Sequence, residues 1–465
     1  MKITKLLMMI LVVLLAGCDQ QTQNNATTEQ ENDMYKFMVL DPGHFHAYLV
    51  LKKMYENVSD QVYLFAPEGA EANDWLDRIR QYNSQTENPT NWEVEVYLGD
   101  DFIQQMIESK PGDVMVTAGN NMKKTEYIKQ TVDAGINVLA DKPMAINTDD
   151  FELLVQAFES AEQNDVLLYD IMTERYEITT MMQKEFSQIP AVFGELQTGS
   201  PEDPAVTKES VHHFFKYVSG SPLQRPGWFF DVEQQGEGIV DVTTHLVDLV
   251  QWECYPEQVI DYNTDIELVD ANRWPTELDI EQFTNVTGEE SFPDYLQKDV
   301  EEGILNVYSN GEIIYKINDT YAKVSVIWNY QAPEGAGDTH YSIMKGSKAN
   351  LVIRQGEDQN FKPELYIEPV EGTSLDELET EVTTAINSLS EKYSGLSMEM
   401  MDDAIHIQIP AEFKVGHEAH FAQVAEKYLG FLENNSMPEW EVPNMITKYY
   451  ITTQGLKMAK EDQNL

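Results

Sequence analysis

The stretch DVMVTAGNNMKKTEYIKQTVDAGINVLADKPMA, residues 113–145, decides the fold. It opens with a short apolar run at 113–117, and apolar residues at helical spacing then predict a helix over 125–134. A second short apolar run follows at 137–140. Two short apolar strands joined by a helix predict a right-handed βαβ unit, in which the strands lie parallel.

The same alternation continues on both sides of this unit. Six short strands alternating with helices favour one parallel sheet. We therefore predict an α/β fold in which residues 35–170 form a Rossmann-like domain. The four additional strands are predicted at 36–40, 61–66, 92–97 and 166–169, and the additional helices at 45–55, around Trp75, at 102–107 and at 149–164.

The second half of the chain has a different pattern, because strands are predicted in succession. Asn310-Gly311, between the first two of these strands, predicts a hairpin turn. Residues 255–302 are acidic and show little periodicity, which indicates an irregular insertion. Residues 171–465 are thus predicted to form an α+β domain with a mostly antiparallel sheet. Its strands are predicted at 304–307, 312–317, 322–330, 340–344, 351–354 and 365–368, and its helices at 375–393, 417–434 and 442–460.

The N-terminus has the pattern of a bacterial lipoprotein signal. Two lysines precede an apolar run over 6–15, which is too short to span a bilayer, and LAGC follows at 15–18. We expect residues 1–17 to be a signal peptide and Cys18 to carry the lipid. Residues 18–34 are polar and predict a flexible tether. The expected location is therefore a bacterial membrane surface, facing the periplasm or the exterior.

Charge and cysteine content exclude some classes of function. The formal net charge is −49, which repels nucleic acid and anionic membrane surfaces. The expected partner is therefore a small molecule, and contact with the membrane is expected through the lipid anchor alone. Only two cysteines are present, so lipidation of Cys18 leaves Cys254 without an intrachain disulfide partner. Whether the chain forms a homo-oligomer stays an open question.

Lys142 lies in the motif ADKP, residues 140–143, directly after the strand predicted at 137–140. Side chains at the carboxyl ends of parallel strands point into the crevice where such folds bind ligands. A lysine there can hold a hydroxyl group or move a proton, whereas the alternative is an ordinary surface lysine.

A second motif is GEG at 236–238, which opens a segment with helical apolar spacing. Asp241 and His245 are four residues apart, so a helix would place them on one face. A carboxylate beside an imidazole can orient the ring and raise its basicity, which makes His245 a candidate general acid or base. The alternative is an acid at a helix N-terminus and a structural histidine.

These two motifs resemble the glucose-fructose oxidoreductase/inositol dehydrogenase (Gfo/Idh/MocA) family. Asp141-Lys142-Pro143 is similar to its Glu-Lys-Pro motif, Asn121 matches a loop asparagine, and residues 236–249 resemble its Asp-three-His helix. Residues 225–228 precede that helix as in the family. The stretch 416–450 is similar to the C-terminal domain of a lipoprotein subgroup of these oxidoreductases.

The resemblance implies hydride transfer between a nicotinamide ring, of NAD or NADP, and a carbon of a sugar or cyclitol. Lys142 would then contact the reacting hydroxyl, and His245, supported by Asp241, would be the general acid or base. The implied cofactor-binding residues are Gly43, His44, His46, Glu68, Asn121 and Lys142.

The dinucleotide-binding loop departs from the family. Where the family has Gly-x-Gly-x-x-Gly, this chain has DPGHFHA at 41–47, in which only Gly43 remains. Asp41 would place a negative charge near the pyrophosphate, and His44 and His46 would offset it if protonated. Glu68 is the candidate for binding the cofactor ribose.

Six of the nine histidines occur in pairs, and the pair at 212–213 has aromatic and basic neighbours. One interpretation is a sugar-binding pocket. A second is a divalent metal held by His212, His213, His417 and His420, with Asp241 or Glu418, and a third is a structural role. The candidate substrate-binding residues are His212, His213, Lys216, Arg225, Trp228 and His417.

The expected function is an extracytoplasmic NAD(P)-dependent oxidoreductase acting on a sugar or glycoside. Free dinucleotide is scarce outside the cytoplasm, so a tightly held cofactor is expected. Two alternatives are a redox-neutral glycosidase and a cofactor-free or metal-assisted lyase or hydrolase acting on keto-sugars. A further alternative is a glycan-binding lipoprotein without activity, which has no need for Lys142, Asp241 and His245 together.

Overall fold

The computed structural model describes residues 34–218, 221–333 and 335–462. The expected signal peptide, the lipidated Cys18 and the tether up to residue 33 lie outside these residues. Among the helices of the described part, none has the length and apolar character needed to cross a membrane.

The first sheet contains six parallel strands in the order β3-β2-β1-β4-β5-β6. This confirms the predicted Rossmann-like sheet. Its strands are β1 (Phe37–Leu40), β2 (Gln61–Ala66), β3 (Glu93–Leu98), β4 (Val114–Thr117), β5 (Asn137–Asp141) and β6 (Leu168–Ile171). Its helices are α1 (His46–Leu49), α2 (Ala70–Ser84), α3 (Phe102–Ser109), α4 (Lys124–Asp133) and α5 (Thr148–Gln163).

The strand order reverses between β1 and β4, so their carboxyl ends border the crevice of the sheet. The loops after these two strands approach each other closely. A Cβ atom on Gly119 would lie 2.2 Å from the carbonyl oxygen of Asp41, so this position requires glycine.

The helix predicted at 45–55 is wrong beyond Leu49, where α1 ends. Two side chains take carbonyl groups that a longer helix would use for its own hydrogen bonds. The Tyr55 hydroxyl donates to the carbonyl of Val50 at 2.5 Å, and the Trp92 indole donates to the carbonyl of Leu51 at 2.7 Å. The apolar residues of this segment are therefore buried without a continuous helix.

The second sheet has ten strands, in the order β10-β12-β13-β7-β14-β15-β16-β18-β17, with β11 paired to β12. It is antiparallel except for the parallel pair β13–β7, which confirms the predicted type of sheet. A separate hairpin consists of β8 (Tyr217–Val218) and β9 (Ser221–Pro222). The strands of the large sheet are β7 (Val206–Phe215), β10 (Ile266–Leu278), β11 (Val300–Glu301), β12 (Ile304–Ile317), β13 (Thr320–Gln331), β14 (Thr339–Lys345), β15 (Ala349–Arg354), β16 (Glu364–Pro369), β17 (Ser397–Met400) and β18 (Ile405–Gln408).

Two predictions about this sheet are wrong. The hairpin turn at Asn310-Gly311 does not form, because β12 continues through both residues and pairs with β10. The Asn310 side chain instead donates to the carbonyl of Trp274 at 3.0 Å and accepts from the amide of Trp328 at 2.6 Å. Segment 255–302 is also not irregular, because it contributes β10 to the sheet.

Six further helices complete the chain: α6 (Ile178–Ser187), α7 (Thr243–Cys254), α8 (Ile280–Thr287), α9 (Leu375–Leu389), α10 (His417–Asn434) and α11 (Glu441–Asp462). The last two pack against the first sheet. Phe421 and Tyr428 of α10 and Tyr449 of α11 belong to the same hydrophobic core as the strands of the Rossmann-like domain. That core is therefore built from both ends of the chain.

A buried polar network joins the two sheets. The Lys448 ammonium donates to Asp170 at the end of β6 (2.7 Å) and to Asp248 of α7 (2.9 Å). Arg175 binds Asp248 through two hydrogen bonds of 2.6 and 2.7 Å and Glu441 through a third of 3.0 Å. These five charged side chains are all buried, so each depends on its partners.

Candidate active site

A cavity of about 840 Å³ lies between the crevice of the first sheet and the face of the second. It brings together residues predicted from distant parts of the sequence. Four predicted site residues, Gly43, Glu68, His213 and Trp228, do not line it. The predicted residues that do line it are His44, His46, Asn121, Lys142, His212, Lys216, Arg225, Asp241, His245, His417 and His420.

Lys142, just after β5, forms an ion pair with Asp241. Its ammonium donates to Asp241 Oδ1 at 2.6 Å, and Asp241 Oδ2 accepts from Gln235 at 3.1 Å. Burial alone would raise the pKa of Asp241, but the charge of Lys142 and these two hydrogen bonds bring that pKa below its ordinary value. Asp241 is thus an anion that fixes the position of Lys142.

His245 lies in the first turn of α7, and its Nδ1 atom is buried without a hydrogen-bond partner among the described residues. Burial, followed by the charge of Lys142, lowers the pKa of His245 to about 4. The predicted pairing with Asp241 is wrong, because the two oxygens of that carboxylate bind Lys142 and Gln235. His245 is therefore a neutral imidazole near pH 7 that faces the cavity.

The β1–α1 loop and the first residue of α1 carry two histidines, His44 and His46, of which His46 stands at a glycine position of the family. Burial, followed by the charges of neighbouring histidines, lowers the pKa of His44 and of His46 well below the ordinary value. The expectation that protonated rings offset Asp41 is therefore wrong. Burial and the charge of Glu71 instead raise the pKa of Asp41 to about 6, so this carboxyl group itself tends toward the neutral form.

Gly43 is covered by side chains from both halves of the chain. A Cβ atom there would lie 2.8 Å from Glu71 Oε2 and 3.4 Å from Cζ2 of Trp228. The Trp228 indole donates to Glu71 Oε1 at 2.5 Å. Trp228, a candidate substrate-binding residue, contacts this loop, and Glu68 is exposed. No sequence feature separates Glu71 from the other acids of α2.

Asp338, which was not predicted, organises the opposite wall. Its carboxylate contacts His212 Nδ1 at 3.1 Å and His213 Nδ1 at 3.3 Å, and it pairs with Lys216. Burial would raise the pKa of Asp338, but His212 and the other cationic neighbours hold it well below its usual range. The only sequence feature of Asp338 is its position next to two glycines, at 335 and 337.

The four histidines of the predicted metal site do not form one cluster. Within the described residues, the single group of three or more potential ligands is formed by His44, His46 and Asp141. His212 and His213 contact Asp338, whereas His417 Nδ1 lies 3.5 Å from Glu174 Oε1. The metal site predicted at the paired histidines is therefore wrong.

Comparison with known proteins agrees with this architecture. Residues 182–460 match the family model described as "Putative oxidoreductase C terminal domain", and residues 66–168 match "Oxidoreductase family, NAD-binding Rossmann fold". The chain belongs to the Gfo/Idh/MocA oxidoreductase family. The recognition and the enzyme class predicted from the sequence are thereby confirmed. No match was found among curated proteins.

Solved structures of several other proteins are similar over 92% of this chain. A putative oxidoreductase from Parabacteroides merdae ATCC 43184 is 57% identical, with 92% of this chain and 98% of that chain covered and a TM-score of 0.90. A putative oxidoreductase from Thermotoga maritima is 15% identical, with 92% and 98% covered and a TM-score of 0.59. A levoglucosan dehydrogenase in complex with NADH and L-sorbose is 10% identical, with 92% and 97% covered and a TM-score of 0.59.

The NAD-binding domain confirms the prediction of a nicotinamide cofactor. Polar groups of the cavity beside Lys142 fit one half of this cofactor. Asn121 Oδ1 and His245 Nδ1 are buried polar atoms without partners among the described residues, so a polar ligand beside Lys142 can satisfy them. The match to the Gfo/Idh/MocA Rossmann model begins at residue 66, after the altered loop. Over Gly43, the side chains of Trp228 and Glu71 occupy the space where a dinucleotide would approach the backbone.

Proposed function

We propose that this Gfo/Idh/MocA protein oxidises or reduces a sugar or glycoside with NAD in the cavity between its two sheets. One observation carries the proposal. The ammonium of Lys142, fixed by Asp241, and the neutral ring of His245 line one cavity. A sugar hydroxyl loses its proton as its carbon loses hydride, and these two groups can assist both changes.

Each residue has a distinct role in this proposal. Lys142 donates a hydrogen bond to the oxygen of the reacting hydroxyl and stabilises negative charge there. His245, neutral because burial lowers its pKa, accepts the proton. Asp241 holds Lys142 in place through the contact of 2.6 Å. Bound NAD supplies the hydride acceptor.

The opposite wall supports a sugar as the substrate. Lys216, held by Asp338, is a hydrogen-bond donor for ring hydroxyls. His212 lies in the same wall, where its two ring nitrogens contact Asp338 at 3.1 Å and Ser210 at 2.7 Å. The indole of Trp328 stacks on the rings of His212 and Phe214, at 5.0 and 4.9 Å between centroids. One structural relative is a levoglucosan dehydrogenase crystallised with NADH and levoglucosan, which is consistent with this substrate class.

The location is also part of the proposal. The lipoprotein-type N-terminus supports a chain anchored at a membrane surface outside the cytoplasm. Free dinucleotide is scarce there, so one retained molecule of NAD would have to serve many turnovers.

Cofactor retention favours a second candidate, a redox-neutral glycosidase. Transient oxidation of a sugar carbon acidifies the neighbouring C–H bond, so that a base can promote elimination of the leaving group before hydride returns. The observation that favours this reaction is a second imidazole in the cavity wall, the half-buried His212, which contacts Asp338 at 3.1 Å and Ser210 at 2.7 Å. A cofactor-free lyase or hydrolase acting on keto-sugars is the remaining alternative.

The test begins with the purified chain, denatured so that mass spectrometry can identify the released small molecules. Stoichiometric NAD, followed by turnover of glycosides that disappears in Lys142→Ala, supports the proposal. Net NADH formation identifies an oxidoreductase, whereas release of the leaving group without NADH identifies the redox-neutral reaction. A chain that is empty and does not bind added NAD contradicts both and directs attention to keto-sugar elimination.

A further inference from the structure

We propose that His44, His46 and Asp141 bind a divalent transition-metal ion at the edge of the cavity. One ligand atom from each of these residues lies within 4.8 Å of the other two. His46 Nδ1 is 3.0 Å and His44 Nδ1 is 3.8 Å from the same oxygen of Asp141. The ring of His417 lies 5.9 Å from that of His46 between centroids, whereas His212 and His213 contact Asp338.

The donor set suits such an ion. Two imidazole nitrogens and one carboxylate oxygen bind zinc, iron and related divalent metals, with bonds of about 2.0–2.2 Å. Ligand atoms around one ion are then roughly 3–4.4 Å apart, a spacing close to that of the three atoms here. Small rotations of the side chains would therefore suffice to bind a metal.

The backbone and the surrounding side chains hold the three residues in place. Asp141 ends the buried strand β5, and its carbonyl accepts a hydrogen bond from Lys124 at 3.2 Å. The His44 amide donates to the carbonyl of Ala118 at 3.1 Å. The ring of His46 packs on Phe421 at 4.6 Å between centroids. The cluster is thus positioned by the end of β5, the loop that follows β1 and the first residue of α1.

The charges near the cluster do not prevent a cation from binding. Two lysines lie near the cluster, and the ammonium of one of them, Lys142, is paired with Asp241. The Lys124 ammonium contacts the backbone carbonyl of Asp141, which leaves the carboxylate facing the histidines. The net charge of −49 also raises the local concentration of cations.

All three residues line the cavity, so the free coordination positions of the ion would face the substrate. The natural ligands for these positions are water and the oxygen atoms of a sugar, either two neighbouring hydroxyls or a hydroxyl and a keto group. A Lewis acid there would bind and orient the substrate opposite the wall that Asp338 organises.

The test uses the full chain, freed of metal with a chelator and titrated with Zn²⁺ by calorimetry and with Co²⁺ by visible absorption. We expect one ion per chain and a Co²⁺ spectrum typical of nitrogen and oxygen ligands. Asp141→Asn and His46→Gln should each weaken binding by at least about 10–100-fold, the loss that removal of even an outer partner causes. The metal should raise the melting temperature of the wild type and not that of these variants.

His406→Gln is the matched control, because His406 contacts Glu364 at 3.2 Å on a different face of the second sheet. It should keep the wild-type affinity. Circular dichroism shows whether each variant is folded. If His46→Gln does not fold, the metal affinity of Asp141→Asn alone tests the proposal. Failure of the wild type to bind either ion, or unchanged affinity in Asp141→Asn, overturns the proposal. Metal binding is measured without turnover, so this result is independent of the proposed oxidoreductase activity.

Discussion

The ammonium of Lys142 and the carboxylate of Asp241 lie 2.6 Å apart, although 99 positions separate them in the sequence. Lys142 follows the fifth strand of the first sheet, and Asp241 precedes α7, which packs under the second sheet. The contact therefore exists only when the two parts of the chain are assembled, and it places the proposed reaction at their junction.

Removal of this lysine should abolish most of the activity. We expect Lys142→Ala to lower kcat/KM by about 10²–10⁴-fold, because a positioned acid–base or hydrogen-bonding group contributes that much. Steady-state kinetics with a glycoside substrate measures the effect. Lys345→Ala is the control, since Lys345 pairs with the exposed Asp203 away from the cavity. Equal kinetics for the two variants would remove Lys142 from the mechanism.

The ring of His245 should titrate well below the usual range of histidines. Its pKa is lowered to about 4 by burial and then by the charge of Lys142. In an NMR titration, the ring resonances of His245 should therefore shift with a midpoint near this value. Lys142→Met should raise the midpoint, because it removes the neighbouring cation. A wild-type midpoint near the ordinary histidine value would contradict the burial of this ring.

Asp41→Asn should stabilise the protein at neutral pH. The pKa of Asp41 is raised from its ordinary value of 3.8 to about 6 in the folded state. Its favourable contribution to the free energy of unfolding is therefore present below the unfolded-state pKa and is lost as pH rises through about 6. The variant should gain roughly 2–3 kcal/mol over the wild type above pH ~6 and almost nothing near pH ~4. Asparagine also tolerates the positive φ of 48° at this position.

Denaturant unfolding of the wild type and the variant at both pH values measures this difference. Asp338→Asn provides a control of opposite sign. The pKa of Asp338 is held low by His212 and other cations, so its stabilising effect is present above the unfolded value and lost as pH falls through the folded one. Equal gains for Asp41→Asn at both pH values would show that its ionisation is not involved.

Two neighbouring glutamates should affect dinucleotide binding in opposite directions. Glu71→Gln keeps a group that accepts a hydrogen bond from Trp228 but removes a negative charge beside Gly43, so the affinity for NAD should rise about tenfold, or ~1.4 kcal/mol. Glu68→Gln should weaken binding if Glu68 holds the ribose. Calorimetric titration with NAD compares both variants with the wild type, and unchanged affinity in Glu71→Gln would show that the carboxylate does not oppose the cofactor.

Asp248→Ala should destabilise the fold strongly. It removes the shared partner of Arg175 and Lys448, so that each of these buried cations keeps one carboxylate, Glu441 or Asp170. Loss of one partner from a buried ion pair typically costs about 3–5 kcal/mol. Denaturant unfolding should show this decrease. Asp77→Asn is the control, because the Asp77–Arg80 pair is exposed and should contribute little. Similar stability of the two variants would mean that the network is dispensable.

The first sheet could be predicted from the sequence because most of its strands are buried and form short apolar runs. The second sheet could not be predicted as well. Strand β7 was missed because four polar residues follow one another at 207–210, including Lys208, whose ammonium is neutralised by the distant Glu253 at 2.9 Å. The turn chemistry of Asn310-Gly311 was overridden by tertiary contacts with Trp274 and Trp328.

The candidate site likewise contains some residues that could be predicted from the sequence and others that could not. Lys142, Asp241 and His245 belong to motifs, and the structure brings all three to one cavity. Asp338 and Glu71 are single acids in a chain with 80 aspartates and glutamates, so no local pattern distinguishes them. The partner of Asp241 could not be derived from spacing either, because Asp241 lies before α7 and turns toward Lys142.

The position of α11 also limits the order in which the protein can fold during synthesis. The hydroxyl of Tyr449 donates to Asp170 at 2.9 Å across 279 positions of sequence, and both belong to the environment of the first sheet. At about 5–20 residues per second, a ribosome needs roughly 14–56 seconds to move from one to the other. During that interval the N-terminal sheet lacks part of its core, and the nascent chain exposes apolar surface until its last helix has been made.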